Sequence, residues 1–264
     1  MNASRNAILI AVGVFLYLPI AILAVFSFNA SPLMAFPLSG FTWDWYRHLA
    51  DNREFQAGFV TSFLIAQPVG VMSAGLGLMA ALALTSSRLR WRLGFIALLL
   101  VPFLAPRTVL SIAQAMMISR LGLDRGPVVL IIAQTIVIIP FTAALLSSVL
   151  MRLDARLEEA ARDLGATPWE SFRLVVLPQI QSTLVAAYSI GVILSLGDLT
   201  IATFLSGRVQ PLSLIVASQF LRQLSPDLNA IQVVMLALTA VIVAITEIYG
   251  WRRRRRRERL LEIA

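Results

Sequence analysis

The sequence has no cysteine and no lysine, and its only histidine is His48. Without cysteine the chain can form no disulfide, no thiolate nucleophile and no cysteine-ligated metal site. Without lysine it can form neither a Walker A phosphate-binding loop nor a Schiff-base intermediate. A single histidine leaves little material for a metal cluster or for a Ser-His catalytic relay. We therefore expect no catalytic residue, no metal site and no cofactor in this chain.

Charged residues are also scarce, at 14% of the 264 residues, whereas hydrophobic residues make up 58%. The mean hydropathy is +0.82. Soluble domains are roughly one quarter charged, and a soluble chain of this size cannot bury so much apolar surface. The composition therefore predicts an all-α integral membrane protein, organised as a single transmembrane domain over residues 1–264.

Six apolar stretches are long enough to cross the roughly 30 Å hydrocarbon core, which needs about 20 apolar residues in a helix. The first of them follows Arg5 but is longer than the roughly 7–15 apolar residues of a signal peptide, so we interpret it as a retained span. The apolar segment Pro211–Leu221 is too short to cross and is predicted to be a re-entrant or interfacial helix. The six predicted spans cover about 7–28, 59–84, 93–118, 128–150, 183–205 and 230–249.

The distribution of arginine predicts the orientation, because the cytoplasmic loops of membrane proteins are enriched in basic residues. With a cytoplasmic amino terminus, fifteen of the 22 arginines face the cytoplasm and six face outward. We therefore predict a multi-pass membrane protein with both termini in the cytoplasm. The cytoplasmic set is Arg5, Arg88, Arg90, Arg92, Arg152, Arg156, Arg162, Arg173, Arg252–Arg257 and Arg259, and the outer set is Arg47, Arg53, Arg120, Arg125, Arg208 and Arg222.

The run Arg252–Arg257 directly follows the last predicted span. Such a run can bind nucleic acid, but its position favours a stop-transfer anchor that faces anionic lipid headgroups. The expected partner of this run is therefore the lipid bilayer, and no nucleic acid is expected.

The polar segment 151–181, between the fourth and fifth predicted spans, carries strong signals for helix ends. Asp154 is a predicted N-cap for a helix over Ala155–Leu164, and Gly165 is a predicted C-terminal stop. Thr167 and Glu170 have the spacing of a capping box, with proline between them at the first helical position. We therefore predict two short helices joined by a glycine elbow. A surface on which a partner docks and a hairpin lying on the membrane are both compatible with this pattern.

The same segment resembles the EAA loop of the membrane subunits of bacterial ATP-binding-cassette (ABC) importers. The resemblance is carried by Glu159-Ala160-Ala161, Gly165 and Leu177-Pro178, with Val175 where the family usually has isoleucine. It implies that the helix beginning near Thr167 is a coupling helix that docks in a groove of a separate ATPase. The residues assigned to this coupling loop are Glu159, Ala160, Ala161, Gly165, Thr167, Pro168, Trp169, Glu170, Phe172, Leu177 and Pro178.

Segments outside the loop are similar to the second permease of spermidine/putrescine-type importers, namely 40–46, 157–166 and 225–230. This resemblance implies a type I importer bundle in the bacterial inner membrane that works with an ATPase dimer, a second homologous permease and an extracytoplasmic solute-binding protein. It also implies a polyamine-like cargo. Gly197, Arg107 and Gln134 depart from the pattern, because relatives often have an acidic residue, Glu and His at these positions. Iron, thiamine, phosphonate or another organic anion therefore remains an alternative cargo.

Four polar residues fall inside the predicted spans, namely Asp198, Arg107, Gln114 and Gln134. Ionisable groups at membrane depth usually face a protein interior or a water-filled path, so we predict that these residues line a translocation path. The alternative is that Asp198 and the two glutamines hydrogen-bond neighbouring helices, and that Arg107 pairs across a subunit interface. A stand-alone ion-coupled carrier is the rival class, but such carriers often have repeated halves and would leave the 151–181 loop unexplained.

Overall fold

The computed structural model of the protein describes residues 2–31, 37–85, 91–222 and 226–263, and it is dominated by α-helices. Arg88, Arg90 and Ser225, which contribute to the arguments above, lie outside the described residues. In chain order the helices are α1 (Asn2–Phe26), α2 (Asp44–Asp51), α3 (Arg53–Thr85), α4 (Arg92–Leu104), α5 (Arg107–Arg120), α6 (Pro127–Leu150), α7 (Ala155–Asp163), α8 (Pro168–Ser171), α9 (Leu177–Leu196), α10 (Thr200–Leu205), α11 (Leu212–Arg222) and α12 (Pro226–Ile263).

Five continuous helical stretches of the described chain are long and apolar enough to cross a membrane, and a sixth crossing is possible if α4 and α5 together make one bent span. This architecture confirms the predicted all-α membrane fold. The short apolar helix predicted over Pro211–Leu221 is present as α11. The five continuous stretches are Asn6–Phe26, Arg53–Thr85, Pro127–Leu150, Pro168–Leu196 and Asp227–Trp251.

The predicted third span, 93–118, differs from a single helix, because α4 and α5 meet at 100°. Ala105 between them has an extended backbone with φ −70° and ψ 138°. The residue before a proline is driven out of the helical region, and Pro106 has no N–H group with which to continue the α4 hydrogen-bond ladder. Arg107 is therefore the first residue of α5 and does not lie within a continuous span.

The predicted fifth span, 183–205, also differs, because α9 ends at Leu196 and α10 begins at Thr200. Between them the Asp198 carboxylate accepts a hydrogen bond from the Ile201 backbone N–H at 2.8 Å. A short acidic side chain that bonds a backbone N–H competes with the continuing helix and starts a new one. The chain thus has two helix breaks where the sequence predicted two unbroken spans.

Helix α3 runs through the centre of the bundle between α6 and α9, and small residues permit the close approach. A Cβ placed on Gly191 of α9 would lie only 2.9 Å from the Gly70 Cα of α3. On the other side, the Thr142 hydroxyl of α6 donates to the Ser73 carbonyl of α3 at 2.7 Å. Small residues of this kind let membrane helices pack by van der Waals contact and interhelical hydrogen bonds.

Gly77 and Gly75 provide a matched test of this packing, because they lie two residues apart on α3. A Cβ on Gly77 would lie 2.8 Å from the Thr142 Cβ and 3.0 Å from the Ala143 backbone nitrogen, whereas a Cβ on Gly75 would have no atom within 4 Å. Overpacking of this kind costs about 1–3 kcal/mol. We expect Gly77→Val to lower the midpoint of thermal unfolding in detergent, and we expect Gly75→Val to match the wild type. The midpoint is measured by size-exclusion chromatography of samples heated to a series of temperatures. Equal midpoints for the two variants would contradict the packing described here.

Candidate functional site

Helices α7 and α8 form a hairpin whose ends are set by the predicted signals. The Asp154 carboxylate accepts a hydrogen bond from the Arg156 backbone N–H at 3.0 Å, which confirms the predicted N-cap. Helix α7 ends at Asp163, one residue earlier than predicted. Gly165 has a φ of +90°, a conformation that favours glycine, which confirms it as the stop between the two helices.

The capping box that begins α8 is also confirmed. The Glu170 carboxylate accepts hydrogen bonds from the Thr167 backbone N–H at 2.8 Å and from the Thr167 hydroxyl at 2.7 Å. In return, the Glu170 backbone N–H donates to the Thr167 hydroxyl oxygen at 3.3 Å. Pro168 occupies the first helical turn, where its missing N–H costs nothing. Helix α8 is short, but its start is fixed by reciprocal hydrogen bonds.

The junction between the hairpin and the next span differs from the prediction. The sequence predicts two short helices followed by a separate span over 183–205, but α8 continues into α9 through a π-helical turn over Phe172–Val176. In this turn the Leu177 backbone N–H donates to the Phe172 carbonyl, five residues earlier. Pro178 cannot donate in the first turn of α9, and the wider turn accommodates it. Helices α8 and α9 are therefore one continuous helical rod.

The hairpin and the π turn that follows it expose large apolar side chains. Leu164 is 91% exposed, Leu174 is 70% exposed and Trp169 is 66% exposed, with the Trp169 ring stacked 5.6 Å from that of Phe172. Glu159 is exposed on α7. Exposed apolar groups rimmed by charged residues mark sites of protein or membrane interaction. Among the other predicted loop residues, Ala160 is exposed, whereas Ala161, Leu177 and Pro178 are half-buried.

A cavity of about 590 Å³ separates the hairpin from the ends of α3 and α6. Its walls include Met79 and Leu82 of α3, Leu150 of α6, and Trp169 and Phe172 of the hairpin side. Protein interiors are normally close-packed. The hairpin is thus held at its base by the continuous rod and has open space beneath it.

The two helix breaks meet at a charge pair near the end of the bundle opposite the hairpin. An Arg107 guanidinium nitrogen lies 3.8 Å from an Asp198 carboxylate oxygen. The Asp198 side chain is 6% exposed and that of Arg107 is 47% exposed. Arg107 therefore pairs within its own chain, where the sequence had suggested a cavity position or a pair across a subunit interface. The carboxylate has two partners, the guanidinium and the first turn of α10.

The two predicted glutamines are buried between helices. Gln134 accepts a hydrogen bond from the Ser195 hydroxyl at 2.6 Å, and Gln114 donates to the Ala133 carbonyl at 3.4 Å. The Gln114 side-chain oxygen is buried and has no hydrogen-bond partner among the described residues. Ser195, in the last turn of α9 and three residues before Asp198, is a site residue that sequence reasoning missed.

Comparison with known proteins agrees with the resemblance carried by the loop. A family model described as the binding-protein-dependent transport system inner membrane component matches residues 2–255. The putrescine transport system permease protein PotI of Escherichia coli (strain K12) is 30% identical over 246 residues, which cover 90% of this chain and 87% of PotI. The spermidine/putrescine transport system permease protein PotC of Haemophilus influenzae is 27% identical over 245 residues, which cover 92% of this chain and 95% of PotC.

Solved structures give the same picture of the fold. A chain of a bacterial alginate ABC transporter, solved in complex with an alginate pentasaccharide-bound periplasmic protein, aligns with a TM-score of 0.72 and 16% identity. The alignment covers 95% of this chain and 93% of that chain. Likeness at this level of identity establishes a shared helical bundle.

Proposed function

The chain belongs to the family described as the binding-protein-dependent transport system inner membrane component and is a permease subunit of an ABC importer. From this premise we propose a cargo, partners and an orientation. The proposed cargo is a polyamine-like organic cation. It is delivered by an extracytoplasmic binding protein and passes between this subunit and a second homologous permease. A separate ATPase dimer supplies the energy, and the α7–α8 hairpin and both chain termini face the cytoplasm.

The coupling role of the hairpin is supported by its surface and its mechanical connection. Trp169 and Leu164 are exposed on an element whose ends are fixed by caps, which suits a preformed docking surface. The rod formed by α8, the π turn and α9 joins that surface directly to a membrane span. A push on α8 by the ATPase would therefore move α9 as one body.

The single observation that carries the cargo proposal is the similarity to PotI along 90% of this chain. The buried Asp198 carboxylate supports it, because an acid at membrane depth can meet an ammonium group on its way through. Arg107 favours a second candidate, an organic anion, because its half-exposed guanidinium is a cation at the same place. The two candidates differ in which member of the pair the cargo contacts.

Uptake into proteoliposomes containing the complete transporter decides between the two cargo classes. We expect ATP-dependent accumulation of radiolabelled putrescine that unlabelled spermidine competes away, because both present ammonium groups to the same carboxylate. Sulfate and a phosphonate should not compete. Competition by the anions, together with no putrescine uptake, would replace the cation by the second candidate.

A further inference from the structure

Two adjoining cavities lie where α2 packs against α3 and α12, at the end of the bundle opposite the hairpin. One is an apolar groove of about 540 Å³, and the other is a polar pocket of about 330 Å³. Leu49 of α2 and Phe55 of α3 line both cavities, so the two are neighbours. The first two turns of α3 border the groove, whereas Leu82 near the other end of α3 lines the cavity beneath the hairpin.

The groove has an apolar floor and an open rim. Phe55, Leu212 and Ile231 form the floor and are each at most 6% exposed. Val60 lies at the rim and is 54% exposed. Cavities that hold small ligands have volumes of about 300–1,000 Å³, and the groove falls within this range. It is therefore large enough to take part of an apolar molecule.

The groove opens on an apolar face of α3 that is exposed along the bundle. Val60, Leu64 and Val71 are each more than half exposed. Their spacing of four and then seven residues places them on one face of the helix. Because an exposed apolar face of a spanning helix meets the hydrocarbon of the bilayer, a lipid acyl chain can enter the groove from the side.

The polar pocket lies nearer to the membrane surface than the groove. On the α3 side, Asn52 lines the pocket and the groove reaches Val60. On α12, Asp227 lines the pocket and the groove reaches Val234. Both helices run into the membrane from this end, so the pocket lies about 10 Å above the deep end of the groove at 1.5 Å per residue. A phospholipid has the same order, with a polar headgroup above an apolar chain.

The charge of the pocket indicates the kind of headgroup. Asp51 and Asp227 contribute two carboxylates, and His48 contributes an imidazole. Asp51 is exposed and makes no ion pair with any residue that the structure describes. Two carboxylates attract an ammonium group and repel an anionic headgroup. The exposed Arg53, next to Asn52 in the chain, offers a cation to the phosphodiester of the same lipid.

We propose that the groove and the pocket together bind one phosphatidylethanolamine molecule, with an acyl chain in the groove and the ammonium group at Asp51 and Asp227. Tyr46 of α2 lines the groove, and Trp43 directly before α2 is 54% exposed. Such side chains are enriched at the membrane–water interface, which agrees with headgroup depth for α2. Only the choice of the outer leaflet rests on the proposed function, because the orientation comes from it.

Photo-crosslinking locates the lipid on the complete transporter. The transporter is purified in detergent, irradiated with a phosphatidylethanolamine that carries a diazirine in one acyl chain, and digested for mass spectrometry. We expect adducts on the groove segments 55–60 and 231–234. Unlabelled phosphatidylethanolamine should compete about threefold better than phosphatidylglycerol, which is the ratio that a partly exposed charge pair gives.

Two variants address the two parts of the site. Val60→Trp places an indole in the groove and should lower groove labelling at least about fivefold, because a filled space cannot also hold an acyl chain. Asp51→Asn should bring competition by the two lipids to within about twofold of each other, because one attracting charge is lost. Asp51→Asn also keeps the proposal testable if Val60→Trp does not fold.

Each variant has a matched control. Val71→Trp adds the same side chain to the same exposed face of α3 outside the groove. Glu54→Gln neutralises an exposed carboxylate that is three residues from Asp51 and lines neither cavity. Both controls should retain the labelling and the lipid preference of the wild type. An equal effect of a variant and its control would overturn the site.

Three other results would also overturn the proposal. Adducts spread evenly over the exposed helices would assign the labelling to the general lipid shell. The absence of adducts from the groove would favour coverage by the second permease. Equal competition by phosphatidylethanolamine and phosphatidylglycerol in the wild type would contradict the role of the carboxylates.

The labelling requires neither cargo nor ATP, so this inference and the proposed function fail separately. If the groove is labelled but putrescine is not transported, the cargo proposal fails and the lipid site stands. If putrescine is transported but the groove is not labelled, the lipid site fails and the proposed function stands. If the hairpin proves to face outward, the same site belongs to the cytoplasmic leaflet.

Discussion

Replacing Gly165 by valine should leave the protein in the membrane but reduce uptake at least about tenfold while ATP hydrolysis continues. Gly165 has a φ of +90°, and a Cβ there would meet no atom within 4 Å. The substitution therefore acts through backbone conformation, at a cost of about 1–2 kcal/mol or more for a β-branched residue. That cost is relieved if the elbow between α7 and α8 changes shape, which moves the docking surface relative to the rod. The measurement is the ratio of cargo transported to ATP hydrolysed in proteoliposomes.

Gly165→Asn is the control for this prediction, because asparagine tolerates a positive φ better than other non-glycine residues. It adds a side chain of similar size at the same exposed position and should keep most of the coupling. Normal transport by Gly165→Val would show that the elbow is not part of the coupling element. Equal loss in both variants would assign the effect to bulk at the ATPase contact and not to the backbone.

The hairpin could be predicted from the sequence because its determinants are local. Asp154, Thr167 and Glu170 act on backbone groups within three residues of themselves, and Gly165 acts on its own backbone. Spacing along the chain is sufficient information for such caps. The long apolar helices were predictable for a similar reason, since hydropathy over about 20 residues reflects the thickness of the bilayer.

The breaks in the third and fifth spans could not be predicted in the same way, although each has a local signal. Pro106 lies at the break between α4 and α5, and Gly197 lies at the break between α9 and α10. Proline alone does not predict a break, because Pro19, Pro68 and Pro140 lie inside helices that continue. What distinguishes the break at Asp198 is its partner Arg107, which is 91 residues away. The hydropathy averaged over a span does not reveal either break, because the residues on both sides of each break are apolar.

The continuous rod connects the two parts of the site. Helix α9 has 20 residues and is therefore about 30 Å long at 1.5 Å per residue. Its first turn follows the α7–α8 hairpin and the π turn, and its last turn is followed directly by Gly197 and Asp198. If the ATPase docks on α8 as proposed, we expect a displacement of α8 to be delivered to the charge pair across most of the membrane. Coupling through a stiff helix requires that the far end has two discrete arrangements, and we expect the paired and separated states of Arg107 and Asp198 to be these arrangements.

Asp198→Asn should lower the uptake of a cationic cargo at least about tenfold, while the affinity of the binding protein for cargo stays unchanged. Asparagine can still accept the hydrogen bond from the Ile201 N–H, so the substitution removes the charge and keeps the start of α10. Breaking a fully buried pair costs about 3–5 kcal/mol, but the cost here is smaller because Arg107 is 47% exposed. The main consequence is an uncompensated guanidinium that repels an organic cation.

Arg107→Gln and the double variant show which member of the pair acts on the cargo. For a cation, Arg107→Gln retains the Asp198 carboxylate, which still accepts the hydrogen bond from the Ile201 N–H. We expect uptake within about threefold of the wild type, because the loss of the ion pair is offset by the loss of the guanidinium that competes with the cargo. The double variant removes the repulsion and should recover part of the activity lost in Asp198→Asn. No recovery would mean that the Asp198 charge itself, and not the unpaired Arg107, limits transport. For an anionic cargo the order reverses, and Arg107→Gln becomes the more damaging substitution.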